Sequence, residues 1–270
     1  MRRKTPMEDE SDSKSRIMAA AVELFASKGV DKVSLRELTA QANVNIAAVN
    51  YHFGSKESLV EAVFEALARE VNGARLAELE RLLAAAAASG AAPELEEIVR
   101  IFMHPYVDPA SREKGGLLAQ MILKNRLNST PMLARVVREH FDPMARRFIE
   151  AIRLACPQVD PDEFYWRYMF MVSSIVLTVT DSSKTNRVSR LSGGKADVDD
   201  TAQMAQVLGR FITGALRAPG PECGAGSSAA STSAASTPAT DTASATAVSA
   251  PASTPASSPD ASLVSSSASR

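Results

Sequence analysis

The sequence predicts an all-α protein: an N-terminal three-helix unit of helix-turn-helix type, a larger helical domain, and an unstructured C-terminal tail. Three observations carry this. Apolar residues recur at helical spacing from residue 14 onward, as in Ile17, Ala20, Ala21, Leu24 and Phe25. Capping residues punctuate the first sixty positions at the intervals expected of short helices. From Ala218 the composition changes to Ala, Ser, Thr and Pro without an aromatic residue, a mixture with too little apolar surface to offset the entropy of ordering.

Taken in order, residues 1–13 are charged and read as an unstructured arm. The first helix follows and stops at Gly29 after Lys28. Ser34-Leu35-Arg36-Glu37 is a capping box that opens a second, short helix ending near Ala42. Asn43-Val44 turns the chain, Asn45 caps a third helix that ends before Gly54, and Ser55 caps a fourth. Two short helices joined by a tight turn and braced by a longer one form a helix-turn-helix over residues 14–60. Residues 61–217 continue as helices, with breaks at Ser89-Gly90, Pro105 to Pro109, Ser129-Thr130-Pro131, Pro157 to Pro161 and Ser192-Gly193-Gly194. Pro143 is expected to kink its helix after Phe141. FYWRYMFMVSSIVLTVTDSS is apolar nearly all round, so it belongs in a core, against a second subunit, or both. Residues 218–270 form the tail.

Composition limits the function. A formal net charge of -1 argues against nucleic-acid binding driven by bulk charge, yet permits a local basic patch. Two cysteines, Cys156 and Cys223, leave no basis for a disulfide framework or zinc site, which fits a reducing cytoplasm. The charged start is unlike a signal peptide, and no apolar run is long enough to span a bilayer. No glycine-rich phosphate loop or Gly-x-Ser-x-Gly elbow occurs, and His52, His104 and His140 lack metal-ligand spacing. An enzyme, a cofactor and a metal are therefore not expected.

Helical geometry sorts the third helix. With Val49 inward at about 100° per residue, Phe53 also points inward while Ala47 and Tyr51 point away, flanked by Ala48 and Asn50. Small residues allow close approach to base edges in the major groove, and Asn and Tyr can bond to bases or phosphates. The amino end of the fourth helix, with Lys56, suits a phosphate. Each residue also has a plainer reading: Arg36 could pair with Asp31, His52 could be a packed histidine, and Tyr51 and Lys56 could be ordinary surface side chains.

The segment NIAAVNYHFGSKESL resembles the recognition segment of the TetR family of bacterial transcriptional regulators. Asn45, Ala47, Val49, His52, Phe53 and Lys56 fit the family pattern; Asn50 stands where a tyrosine is commonest, and Tyr51 takes the next position. The resemblance implies a DNA-binding surface of Arg36, Asn45, Ile46, Ala47, Asn50, Tyr51, His52 and Lys56, with Arg36 at a base edge and Tyr51, His52 and Lys56 on the backbone.

The same resemblance implies that residues 61–217 bind a small effector and form a homodimer through 160–185 and 200–217, with double-stranded operator DNA as the other partner. The order of segments is similar to the branch that senses fatty acyl or other hydrophobic effectors. Met103, Met121 and Met169, with Met132 and Met171, could line an adaptable cavity, and Arg126, with Arg112, Lys114 and Asn125, could meet an acidic head group. Core filling by the methionines and solvation of the charged residues explain the same pattern. The resulting expectation is a repressor that binds a pseudo-palindromic operator and is released by its effector. An architectural or division-controlling DNA binder on the same fold, without an effector, is the alternative.

Overall fold

The structure is a computed structural model that describes residues 6–127, 130–181, 187–197 and 199–220. Among these residues there are eleven α-helices and no strand. Helix α1 (Pro6–Lys28) starts earlier than residue 14, so 6–13 is helix rather than unstructured arm. Its sequence favours this: Pro6 occupies the first helical position, where the fixed φ of proline suits a helix start. The arm's remaining residues 1–5, and the tail from 221 onward, lie outside the described residues.

After a 3₁₀ turn at Val30–Lys32 come α2 (Leu35–Ala42), α3 (Ile46–Phe53) and α4 (Lys56–Ser89). With 34 residues, α4 is about 50 Å long at 1.5 Å per residue. It contains the boundary expected between 60 and 61. Leu59, Val63, Phe64, Leu67 and Ala68 pack with Ile17, Phe25, Leu38 and Val49 in one core, whereas Leu79 and Leu83 pack with α5 (Leu95–Val107) in a second. A single rigid helix thus contributes to both cores.

Helix α5 runs through Pro105, where a break was expected, and ends at Val107. Pro105 lies in the last turn, so it removes one bond to the Ile101 carbonyl and the helix ends two residues later. Helix α6 (Arg112–Leu127) crosses it so closely that a Cβ on Gly115 would sit 1.9 Å from the Pro105 carbonyl oxygen. Thr130 caps α7 (Pro131–Val136) by accepting the Leu133 N–H at 3.2 Å. A π-helical turn, Val137–Phe141, then leads into α8 (Asp142–Ala155). The expected disturbance at Pro143 takes this form because proline cannot donate to the preceding turn. The Asn72 side chain of α4 donates to the His140 carbonyl at 3.0 Å, satisfying one group the irregular turn frees.

The remaining breaks fall between helices. Gly90 ends α4 with φ 67°, and α9 (Glu163–Thr180), α10 (Arg187–Ser192) and α11 (Thr201–Arg217) complete the chain's described part. Arg167 joins α9 to the end of α11: its Nη1 donates to the carbonyls of Leu216 at 2.9 Å and Ala218 at 2.6 Å, satisfying acceptors that a helix C-terminus leaves open. Helix α9 has two apolar sides. Phe164, Tyr168, Met171, Ile175 and Val176 are buried, while Trp166, Phe170 and Leu177 share an exposed stripe, joined on α11 by exposed Val207 and Phe211. No helix among the described residues is long and apolar enough to cross a membrane.

Candidate nucleic-acid interface

Side-chain caps fix the geometry of the helix-turn-helix. Ser34 Oγ accepts the Glu37 N–H at 3.2 Å and starts α2. The Glu37 carboxylate pairs with Lys28 of α1, and that ammonium, with a smaller contribution from the Ser34 backbone, holds its pKa below the usual carboxylate value. Asn43 closes α2 in the left-handed conformation, φ 51°, which asparagine tolerates better than most residues. Arg16 of α1 donates to the Asn43 carbonyl at 3.2 Å and steadies the turn. Asn45 Oδ1 then accepts the Ala48 N–H at 2.8 Å, beginning α3. Gly54, with φ 76°, ends it, and Ser55 Oγ at once accepts the Ser58 N–H at 3.1 Å to begin α4.

These constraints set which face of α3 is open. Val49 is fully buried, and Phe53 is half-buried with the Lys14 ammonium 5.9 Å from its ring centre. Asn45, Ile46, Ala47, Asn50 and Tyr51 are exposed, Tyr51 to 74%. The side chain of His52 is half-buried and packs edge-on against the rings of Tyr51 and Phe53. Lys56 is half-buried at the first position of α4. On α2, Arg36 is exposed and no ion pair among the described residues holds it; Asp31 pairs instead with Lys124 of α6 at 2.6 Å. None of the eight expected contact residues is in a core.

The comparisons with known proteins agree with this geometry. The family profile described as "Bacterial regulatory proteins, tetR family" matches residues 17–63, and "Tetracyclin repressor-like, C-terminal domain" matches 100–215. The chain belongs to the TetR family of transcriptional regulators. It is 31% identical over 148 residues to the HTH-type transcriptional regulatory protein RaaS of Mycobacterium tuberculosis, covering 50% of this chain and 65% of that protein. To the HTH-type transcriptional dual regulator CecR of Shigella flexneri it is 32% identical over 136 residues, covering 49% and 53%. The chain thus spans less than two thirds of the length of these relatives. A transcriptional regulator from Saccharomonospora viridis in complex with choline shares its fold, with a TM-score of 0.56 at 19% identity, over 75% of this chain and 96% of that one. The family is one of DNA-binding regulators, not enzymes.

The four effector residues expected from the TetR resemblance are not brought together. Met103 is buried in the larger core, beside a groove of about 500 Å³ between α5 and α11. Met121 is buried in the smaller core, beside a separate cavity of about 300 Å³ lined also by Asp31, Phe64 and Leu133. Met169 is exposed on α9, and Arg126 is exposed near the end of α6. A groove of about 640 Å³ between α9, α10 and α11 is lined by Leu177, Val207 and Phe211 and by none of the four. Of the accompanying polar residues, Lys114 is paired with Glu70 at 2.7 Å, and Asn125 is buried with its Oδ1 unpaired.

A polar group the sequence reading passed over lies between the two cores. Arg75 of α4 is 2% exposed, and its guanidinium carbon lies 4.5 Å from the centre of the Phe102 ring and 4.7 Å from that of Tyr106. Its Nη1 donates to Asn72 Oδ1 at 3.1 Å. The signal was present in the spacing: Phe64, Leu67, Ala68, Val71, Asn72, Arg75, Leu79 and Leu83 form one buried stripe of α4. Two polar residues on such a stripe mark a place where the core is not simply apolar.

Proposed function

We propose that the protein is a repressor that binds a pseudo-palindromic operator as a homodimer and releases it when a small hydrophobic molecule occupies the C-terminal domain. The observation that carries the reading is the capped helix-turn-helix whose exposed α3 face bears Asn45, Ala47, Asn50 and Tyr51, with Arg36 unpaired on α2. Small and amide side chains there suit a groove, and Lys56 at the amino end of α4 suits a phosphate. Homodimerisation is supported by the exposed apolar stripe of Trp166, Phe170 and Leu177 on α9 beside Phe211 on α11, the kind of surface that marks protein–protein contacts. The repressor sense is supported by a relative, 41% identical over 66 residues, named HTH-type transcriptional repressor Rv3405c of Mycobacterium tuberculosis.

Release requires an effector that prefers the DNA-incompetent arrangement of the two reading heads, since equal affinity for both shifts nothing. Helix α4 is the mechanical link, because it belongs to both cores. Fatty acyl compounds are the effector class drawn from the resemblance. The test is a map of chromosomal sites bound by the tagged protein, followed by titration of fatty acids and acyl thioesters against a complex with the best site. Release by roughly 5- to 150-fold is expected for a coupling of about 1–3 kcal/mol. Binding spread evenly over the chromosome, with no release, would overturn the reading.

A further inference from the structure

His140 carries a ring nitrogen for which the fold provides no hydrogen bond. Its Nε2 is buried and unpartnered among the described residues, and it lies 3.8 Å from Oε1 of Glu65 on α4. Glu139, the preceding residue of the π-helical turn, completes a group whose three ligand atoms all lie within 4.8 Å of one another. No spacing along the chain announces this group, because Glu65 arrives from another helix. A polar atom left buried without a partner is costly, and turns of this irregular kind often sit at functional sites. Two contacts fix the turn against α4: Phe141 stacks on Phe64 with ring centres 5.7 Å apart, and Asn72 donates to the His140 carbonyl at 3.0 Å. The acids are restrained as well. Arg135 Nη2 donates to Glu65 Oε2 at 3.3 Å, and its Nη1 to Glu139 Oε2 at 2.9 Å.

One imidazole and two carboxylates are a donor set for borderline divalent ions such as zinc, whereas calcium and magnesium take oxygen donors and have no use for the ring. The 3.8 Å between His140 Nε2 and Glu65 Oε1 is close to the ~3.4 Å that separates two ligands of a tetrahedral ion held at ~2.1 Å from each. Charge also favours a cation, since two carboxylates outweigh the single guanidinium of Arg135. That guanidinium engages Oε2 of each acid, while Oε1 of Glu65 is the oxygen beside His140. Arg135 thus restrains the carboxylates from outside, as the outer partners of metal ligands do. We propose that Glu65, Glu139 and His140 form a site for a divalent transition-metal ion, above all zinc, that clamps the π-helical turn to α4. Three protein ligands leave a fourth position to water. The clamp lies where α4 meets the reading unit, because Phe64, next to Glu65, shares a core with Val49 of α3. An ion there stiffens the seat of the recognition helix.

The full-length protein, in a Cys223→Ser background that removes the tail thiol, is stripped with a chelator and titrated with zinc chloride in a calorimeter, with calcium and magnesium chloride run in parallel. Zinc alone is expected to bind, at one ion per chain. At about a hundredfold excess over its Kd it should raise the melting temperature by roughly 5–10 °C, and amide hydrogen exchange should slow across residues 137–141. Glu139→Gln alters a side chain that is half exposed, so it leaves packing intact. It and His140→Gln should each weaken zinc by roughly tenfold or more, since loss of even an outer partner costs that much. His104→Gln removes the other histidine near a carboxylate, 3.9 Å from Asp108, and should leave zinc binding unchanged. Zinc held as tightly by Glu139→Gln as by its parent, or lost with His104→Gln, would put the ion elsewhere and overturn the proposal whether or not His140→Gln folds. Calcium or magnesium binding as well as zinc would overturn it too. No zinc binding by the parent would reduce the group to ordinary ion pairs. None of these measurements involves DNA, so the regulator reading stands or falls separately.

Discussion

Replacing Phe170 by Asp should abolish the dimer while leaving the protomer folded. Phe170 is 62% exposed and Phe211, its neighbour across the groove between α9 and α11, is 63% exposed. A phenylalanine of roughly 200 Å² therefore leaves about 120 Å² to water, and covering it contributes about 3 kcal/mol at ~25 cal/mol per Å². In a two-fold symmetric interface each substitution acts twice, so the loss from Phe170→Asp approaches about 6 kcal/mol if both rings are fully covered. Even half of that, about 3 kcal/mol, weakens association by more than roughly a hundredfold. Sedimentation velocity over a dilution series is the direct assay, with circular dichroism to verify the helices. Leu127→Asp is the control, since that residue is 76% exposed but lies at the end of α6. A Phe170→Asp protein that stays dimeric, or a Leu127→Asp protein that dissociates equally, would refute the assignment of this face.

Three further outcomes follow from other parts of the structure. Lys56→Ala should weaken operator and random DNA alike and flatten the salt dependence, whereas Arg36→Ala should lose about 1–3 kcal/mol on the operator and relax preference at one base position; equal losses on both DNAs in anisotropy titrations would reduce Arg36 to a backbone contact. Gly115→Val should lower stability by about 1–3 kcal/mol or more, because even a Cβ would lie 1.9 Å from the Pro105 carbonyl oxygen and backbone cannot yield cheaply; an unchanged denaturation midpoint would contradict that close approach. Cys156 is fully buried, and burial pushes its thiol pKa up, so less thiolate is available at neutral pH and reaction should need unfolding. In a Cys223→Ser background, rapid native-state labelling by a thiol reagent at neutral pH would count against this placement.

The reading unit was legible because its signals are local. Ser34, Asn45 and Ser55 each cap the helix that their position announced, and Val49 is buried where the helical period placed it. The two-sided character of α9 was also visible, since a helix apolar all round has few other uses. Contacts distant in sequence were not. Nothing near Pro105 announces that α6 would press on its carbonyl, nor that the disturbance at Pro143 would become a π-helical turn braced by Asn72. The expected effector residues scattered because methionine composition says nothing about which core each side chain enters. Arg75 was readable in principle as a charge on a buried stripe, but its aromatic cover comes from α5, some thirty positions away.

Repression as proposed requires paired reading of DNA by two copies of the α2–α3 unit. Selection of bound fragments from random-sequence duplexes by the full-length protein, followed by sequencing, tests this directly. The predicted result is an enriched pseudo-palindrome whose half-sites lie about one helical turn apart, roughly 34–36 Å, bound with affinity that falls steeply as salt rises. Enrichment of a single asymmetric half-site bound by a monomer, or no enriched sequence at all, would contradict it.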